Sequence, residues 1–315
     1  MKNEKIYILI PTYNRAQLLL ETLESVRNQT YSFWECIIVD DHSSDDTVEQ
    51  VRKYSERDKR FSCFLRAEDY CKGPSGSRNM ALDIAKERKA QFIQFFDDDD
   101  LMHPKKLELQ VTLFVKDTDL ELSICRYERF SSSAKMVPID HIELINTISL
   151  AEDFLFTRLR LNVGGPLFRA KLFEDERFDE SLQYGEEKEL FLRILFRYRP
   201  KSLVLNQTLF YYRAHEVSLT RIMNSRILKR GSEIVIHQKI WDYLAENDLL
   251  NNQAAGFLIR QFLLENHSKE YINKANRYIS KESNFSFFSK LRFRVLIGFH
   301  EIYSRIIYKL LLIKI

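Results

Sequence analysis

Cysteine, glycine and proline are all scarce in these 315 residues, with four, eight and six copies respectively. None of the cysteines (Cys36, Cys63, Cys71, Cys125) forms a CxxC pair or has a neighbouring histidine at zinc-finger spacing, which excludes the common structural zinc motifs. The thiols therefore read as reduced and the compartment as cytoplasmic. So few glycines and prolines exclude a loop-dominated or disordered chain. Charge of one sign is lacking too: a formal net charge of +3 offers no footprint for nucleic acid. No uninterrupted apolar run of about 18 residues occurs, so a spanning helix is not expected. Strand-like sequence begins at Ile6 with no signal-peptide hydrophobic region before it. Internal repeats are absent. What the chain does have is core material, 45% apolar and 13% aromatic, enough for one large domain and an appendage.

Strand and helix alternate over the first hundred residues. Ile6 to Ile10 is a near-continuous apolar run closed by Pro11, as expected of a strand buried on both faces. Asn14 can cap a helix carrying Leu18, Leu19, Leu23 and Val26 at helical spacing. Ile37 to Val39 is a second strand, ending in Asp40-Asp41, and Phe61 to Leu65 a weaker third. The loop Lys72 to Ser77 precedes a helix opening at Arg78, and Phe92 to Phe96 is a fourth strand. This alternation predicts βαβ units and a mostly parallel twisted sheet flanked by helices, of Rossmann-like α/β class. Right-handed crossovers bring Pro11, Asp41 and Asp99 to one sheet edge, where open α/β sheets bind ligands. Further on, Leu122 to Tyr127, Leu203 to Leu205 and Leu209 to Tyr212 read as short strands, with a helix from Gly185-Glu186-Glu187. From about Arg221 the sequence reads helical, so the expected division is 1–220 and a helical extension 221–315.

Four consecutive acids, Asp97 to Asp100, end the Phe92 strand. Such a cluster is tolerable as a solvated acidic turn before a helix with Pro104 in its first turn, or around a divalent cation. Glu186 and Glu187 suit a helix N-terminus through the dipole, and equally a general base for an incoming hydroxyl. Arg213-x-His215-x-x-Ser218 offers a guanidinium, an imidazole and a hydroxyl after an aromatic strand. Arg78 near a helix start can meet a phosphate or a neighbouring acid.

Taken in order, the motifs Pro11-Thr12-Tyr13-Asn14-Arg15, Ile38 to Thr47, Gly76-Ser77-Arg78-Asn79, Phe96 to Asp100, Gly185-Glu186-Glu187 and Tyr212-Arg213-x-His215-x-x-Ser218 resemble those of family 2 glycosyltransferases. The resemblance covers roughly residues 5 to 220. It implies a GT-A fold, a nucleoside diphosphate sugar donor (UDP-linked most commonly), Mg²⁺ or Mn²⁺, and inversion at the anomeric carbon. It also implies a glycan or lipid-linked glycan acceptor in surface polysaccharide synthesis. By position, Pro11, Tyr13, Asn14, Arg15, Asp41, Arg78 and Asp98 correspond to the donor nucleotide site. Asp97, Asp99 and His215 correspond to the metal site, and Arg213, His215 and Ser218 to the diphosphate site. Glu187 falls at the catalytic base with Glu186 beside it. The chain departs from the family in having Glu-Glu where Glu-Asp is usual, and its four-Asp run leaves the metal register open between Asp97/Asp99 and Asp98/Asp100. The Q-x-x-R-W motif of processive synthases is absent, so one sugar per binding event is expected. A nucleotidyltransferase normally has a Gly-rich phosphate loop after its first strand, which is missing here. A silent nucleotide-sugar or cation-binding protein is the rival class, which an intact Glu187 and Arg213-x-His215 weigh against and which slow donor hydrolysis with Mn²⁺, if measured, would exclude.

In residues 285–315, Lys290, Arg292, Arg294, Arg305, Lys309 and Lys314 interleave with Leu291, Phe293, Leu296, Phe299, Ile302, Ile306, Leu310 and Ile313. This density suits an anionic membrane surface at the inner face of the cytoplasmic membrane, a helix packed on its own domain, or a homodimer contact.

Overall fold

The computed structural model describes residues 4–131, 134–139, 141–182, 184–214, 226–264 and 269–281, together with 290, 291 and 295. The chain divides into two compact units, 1–222 and 223–315. No helix among the described residues is long and apolar enough to cross a membrane.

The first unit opens with β1 (Ile6–Thr12), α1 (Ala16–Arg27), β2 (Trp34–Asp40), α2 (Thr47–Arg57), β3 (Phe61–Leu65), α3 (Pro74–Glu87) and β4 (Phe92–Phe95). Every residue of β1 is buried, as its unbroken apolar run requires of a strand covered on both faces. β1 pairs in parallel with β2 on one side and β4 on the other, and β2 pairs in parallel with β3. Strand order therefore reverses at β1. The crevice between the carboxyl ends of β1 and β4 is a topological switch point, the place where such sheets receive ligands.

The second half is mixed. It contains β5 (Leu101–Met102), α4 (Lys106–Lys116), β6 (Leu122–Phe130), β7 (Leu144–Ile145), α5 (Leu150–Leu155), β8 (Pro166–Arg169), α6 (Glu186–Tyr198) and β9 (Ser202–Arg213). The sheet runs β3-β2-β1-β4-β8-β6-β9-β5, with β7 against β9. β8 is antiparallel to both neighbours, while β6 and β9 are parallel. The mostly parallel, helix-flanked sheet expected of a GT-A fold is present. Its floor is aromatic: the Phe95 ring lies 5.3 Å from Phe173 and 5.1 Å from Phe178, and Phe168 lies 5.2 Å from Phe191 of α6.

Three local readings are corrected. Pro104 does not lie in a helical first turn. Leu101–Met102 pairs antiparallel with Phe210 and Tyr211 instead, and α4 begins only at Lys106. The segments around Val204 and Phe210 form one strand, because β6 carries Asn206 to Thr208 through a register shift at Arg126. Finally, α3 starts at Pro74, inside the expected loop, with Gly73 before it at φ 115°. At Gly76 a Cβ would lie 1.9 Å from the Cys71 carbonyl oxygen. Gly76→Ala is therefore expected to destabilise the fold by about 1–3 kcal/mol through overpacking, read as a lowered Tm in a thermal scan.

Among the described residues the second unit holds three helices, α7 (Arg226–Glu246), α8 (Asn252–Leu264) and α9 (Lys269–Lys281). Ile240, Trp241 and Leu244 of α7, Leu258 and Phe262 of α8, and Ala275 and Ile279 of α9 are its buried stripes. Trp241 is central, with ring centroids 5.8 Å from Phe262 and 6.0 Å from Tyr278.

Candidate active site

The apolar run of β4 drives Phe96 into the core, and the four acids follow at the switch-point crevice. Their side chains divide. Asp98 accepts from Thr12 Oγ1 of β1 at 2.7 Å and from Arg15 Nη1 at 2.8 Å. Asp97, Asp99 and Asp100 instead offer carboxylate oxygens that all lie within 4.8 Å of one another. The register left open by the sequence thus places Asp100, not Asp98, beside Asp97 and Asp99. Asp100 is fully buried. Its Oδ1 accepts the Arg213 backbone N–H at 2.9 Å, while its Oδ2 is buried with no hydrogen-bond partner. A buried carboxylate oxygen left so is costly. Hard oxygen ligands in this number suit Mg²⁺ or Mn²⁺, and the trio can hold such a cation. Burial, followed by repulsion from Asp99, raises Asp100 well above the usual carboxylate range. Burial likewise pushes Asp98 up to about 6, against the pull of Arg15.

Arg78 of α3 joins this acid run to the start of α6. Its guanidinium is almost wholly buried, donating from Nη2 to Asp97 Oδ1 and from Nη1 to Glu186 Oε1, each at 2.7 Å. The neighbouring Asn79 pins the chain ahead of α6, donating to the Phe178 carbonyl at 3.0 Å and accepting the Phe178 N–H at 2.9 Å. Gly185, at φ 73°, turns the chain into α6, so Glu186 and Glu187 occupy its first turn as a helix dipole favours. Glu187 has no ion pair with a basic side chain among the described residues. Burial first, then the negative charges of Glu186 and Asp97, raise it to about 8, with Arg78 opposing. A carboxylate tuned toward neutral pH beside a cation site is the electrostatic profile of a general base.

Toward β2 the edge continues. The Asp41 N–H donates to the Thr12 carbonyl at 2.9 Å, tying the ends of β1 and β2. The Asp41 carboxylate accepts from Gly73 N–H at 2.8 Å and from Arg66 Nε, and Arg66 also holds the Tyr70 carbonyl. Pro11 is buried in β1, whereas Tyr13 is exposed, with Lys72 Nζ 5.3 Å from its ring. Asn14 binds the loop after β2, its Oδ1 accepting the Ser44 N–H at 2.7 Å. Arg213, at the end of β9, lies on the acid run rather than apart from it. Its Nε donates to the Asp99 carbonyl and its Nη2 to Glu21, both at 2.7 Å. His215 and Ser218 lie outside the described residues.

Arg66 belongs to this edge without any signal in the sequence, while Thr12 and Asn79 lay inside quoted motifs with no role assigned, and Asp100 was named only as an alternative metal ligand with Asp98.

The chain belongs to glycosyl transferase family 2, whose model matches residues 7–175. A Campylobacter jejuni GalNAc(5)-diNAcBac-PP-undecaprenol beta-1,3-glucosyltransferase is 31% identical over 212 residues, 66% of this chain and 64% of that relative. The chain therefore spans less than two thirds of that relative's length. Among solved structures, S. aureus TarS 1–349 in complex with UDP-GlcNAc is similar with a TM-score of 0.63 at 22% identity, covering 87% of this chain and 80% of TarS 1–349. The Pyrobaculum calidifontis mannosyltransferase PcManGT in complex with GDP-Man and Mn²⁺ gives 0.55 at 16%, covering 95% and 83%. These two likenesses establish the fold.

Proposed function

We propose that the protein transfers one sugar from a nucleoside diphosphate sugar, UDP-linked, to a hydroxyl of a glycan or lipid-linked glycan, inverting the anomeric carbon. The observation that carries this reading is the Arg78 bridge, which sets Asp97 and Glu186 on either side of one guanidinium. On this reading the carboxylate trio and Glu187 serve one reaction centre, in keeping with the charge effect of Asp97 on Glu187. The relative named for an undecaprenol diphosphate acceptor supports the lipid-linked class, and the TarS complex supports a UDP-sugar.

Asp97, Asp99 and Asp100 would hold Mg²⁺ or Mn²⁺, which would supply charge neutralisation for the leaving diphosphate. Asp41 accepts the imide hydrogen of the base, with Pro11, Tyr13 and Asn14 around the nucleoside. Arg213, His215 and Ser218 serve the diphosphate side. Glu187 takes the proton of the acceptor hydroxyl as its oxygen attacks C1 from the face opposite the diphosphate. The C1–O bond breaks and its electron pair departs with the nucleoside diphosphate. Glu186, held by Arg78, is one of the charges that raise Glu187.

A nucleotide-sugar panel screened by thermal shift with Mn²⁺ tests the donor class, since a ligand of the native state raises its Tm. The base is tested by pH. Glu187 acts deprotonated, so the rate rises as pH passes through its pKa, with a limb at or below about 8 once a bound cation adds to the pull of Arg78. Glu186→Gln removes a charge that raises this pKa, so the limb is expected to move to lower pH. A limb that stays in place assigns the titration to another group.

The basic and apolar residues of 285–315 are proposed to meet an anionic membrane surface. Co-sedimentation with anionic liposomes is expected for the full chain and lost on deleting 285–315; a concentration-dependent dimer without liposome binding would point to a homodimer contact.

A further inference from the structure

We infer that Arg15 is an internal counter-cation of the acid run, one that makes the divalent cation bind together with the diphosphate rather than ahead of it. This rests on the glycosyl-transfer reading above and concerns how its metal site is loaded. Arg15 sits at the point where β1 gives way to α1. Its N–H donates to Thr47 Oγ1 at 3.2 Å and its carbonyl accepts the Leu19 N–H at 2.9 Å, so the backbone beneath the side chain is fixed. From there Nη1 reaches between two carboxylates, 2.8 Å from Asp98 Oδ1 and 2.7 Å from Asp99 Oδ2. Asp99 is thus shared, being one of Arg15's two partners and one of the three carboxylates able to hold a cation. The side chain keeps 24% of its exposure, so the guanidinium lies at the rim of the crevice rather than sealed beneath it.

The consequences are opposite for the two ligands. A fixed positive charge beside Asp99 repels a bare divalent cation and competes with it for this carboxylate. The same charge attracts a diphosphate, whose oxygens can draw the guanidinium from Asp99 while completing the cation's shell. Cation and diphosphate are then positively coupled, and the coupling is reciprocal. Asp98 has a defined part, since its second contact, to Thr12 Oγ1, holds it as Arg15's resting partner.

The test is calorimetry on the full chain with MnCl₂ alone, UDP alone, and MnCl₂ at saturating UDP. In the wild type UDP is expected to tighten Mn²⁺ binding. In Arg15→Gln, Mn²⁺ alone is expected to bind roughly tenfold more tightly, and the gain from UDP to shrink by a similar factor. Arg15→Lys, which keeps the charge, is expected to stay close to wild type and serves as the folded control should Arg15→Gln lower the Tm sharply. Mn²⁺ affinity unchanged or weakened in Arg15→Gln, or weakened coupling in Arg15→Lys equal to that in Arg15→Gln, overturns the role of Arg15 while a wild type that binds Mn²⁺ and UDP leaves the glycosyl-transfer reading intact. A wild type that binds neither ligand contradicts that reading itself.

Discussion

Glu187→Gln is expected to lower kcat by roughly two to four orders of magnitude while leaving donor affinity within a few fold of wild type. Gln has nearly the same shape and cannot take a proton. The carboxylate it replaces lies in the first turn of α6, beside Glu186, and is raised to about 8 chiefly by burial. Because Arg78 is held by Glu186 and Asp97, the amide substitution leaves that bridge in place. Single-turnover transfer and donor titration separate the two quantities. Equal losses of both would remove Glu187 from the role of base.

Asp99→Asn is expected to have the opposite profile, removing the cation-dependent part of donor affinity. Asp99 contributes to the only group of this kind found among the described residues, with Asp97 and Asp100. An amide oxygen keeps some ligand character but carries no charge, and affinity for a hard divalent cation depends on ligand charge. Calorimetry of the nucleotide sugar with Mn²⁺ and with EDTA is expected to give a large difference for wild type and little or none for Asp99→Asn. Asp98→Asn is the contrast, since Asp98 faces Thr12 and Arg15. An EDTA effect of wild-type size in Asp99→Asn would place the cation elsewhere.

The parallel half of the sheet was legible because β1, β2 and β4 are short apolar runs ending in turn residues or acids, and β3 matched its expected bounds from Phe61 to Leu65. β5 and β7 were not, since two-residue strands exist only through a partner more than fifty residues away, as Leu101 with Tyr211 shows. The site was legible in its residue types and order. Its pairings were not, because the guanidiniums of Arg15, Arg66 and Arg78 close on acids across 83, 25 and 108 positions, distances over which no local pattern carries information. The direction of each side chain in Asp97 to Asp100 was likewise hidden. It depends on the turn that leaves β4, which the Thr12 hydroxyl and the Arg213 N–H fix from β1 and β9.

The account stands most directly on where the cation and the diphosphate lie. Anomalous scattering from a crystal grown with Mn²⁺ and UDP is expected to show one strong site among Asp97, Asp99 and Asp100, with the diphosphate turned toward Glu187. A manganese site away from these three carboxylates, or a diphosphate in a cavity that Glu187 does not face, would contradict it.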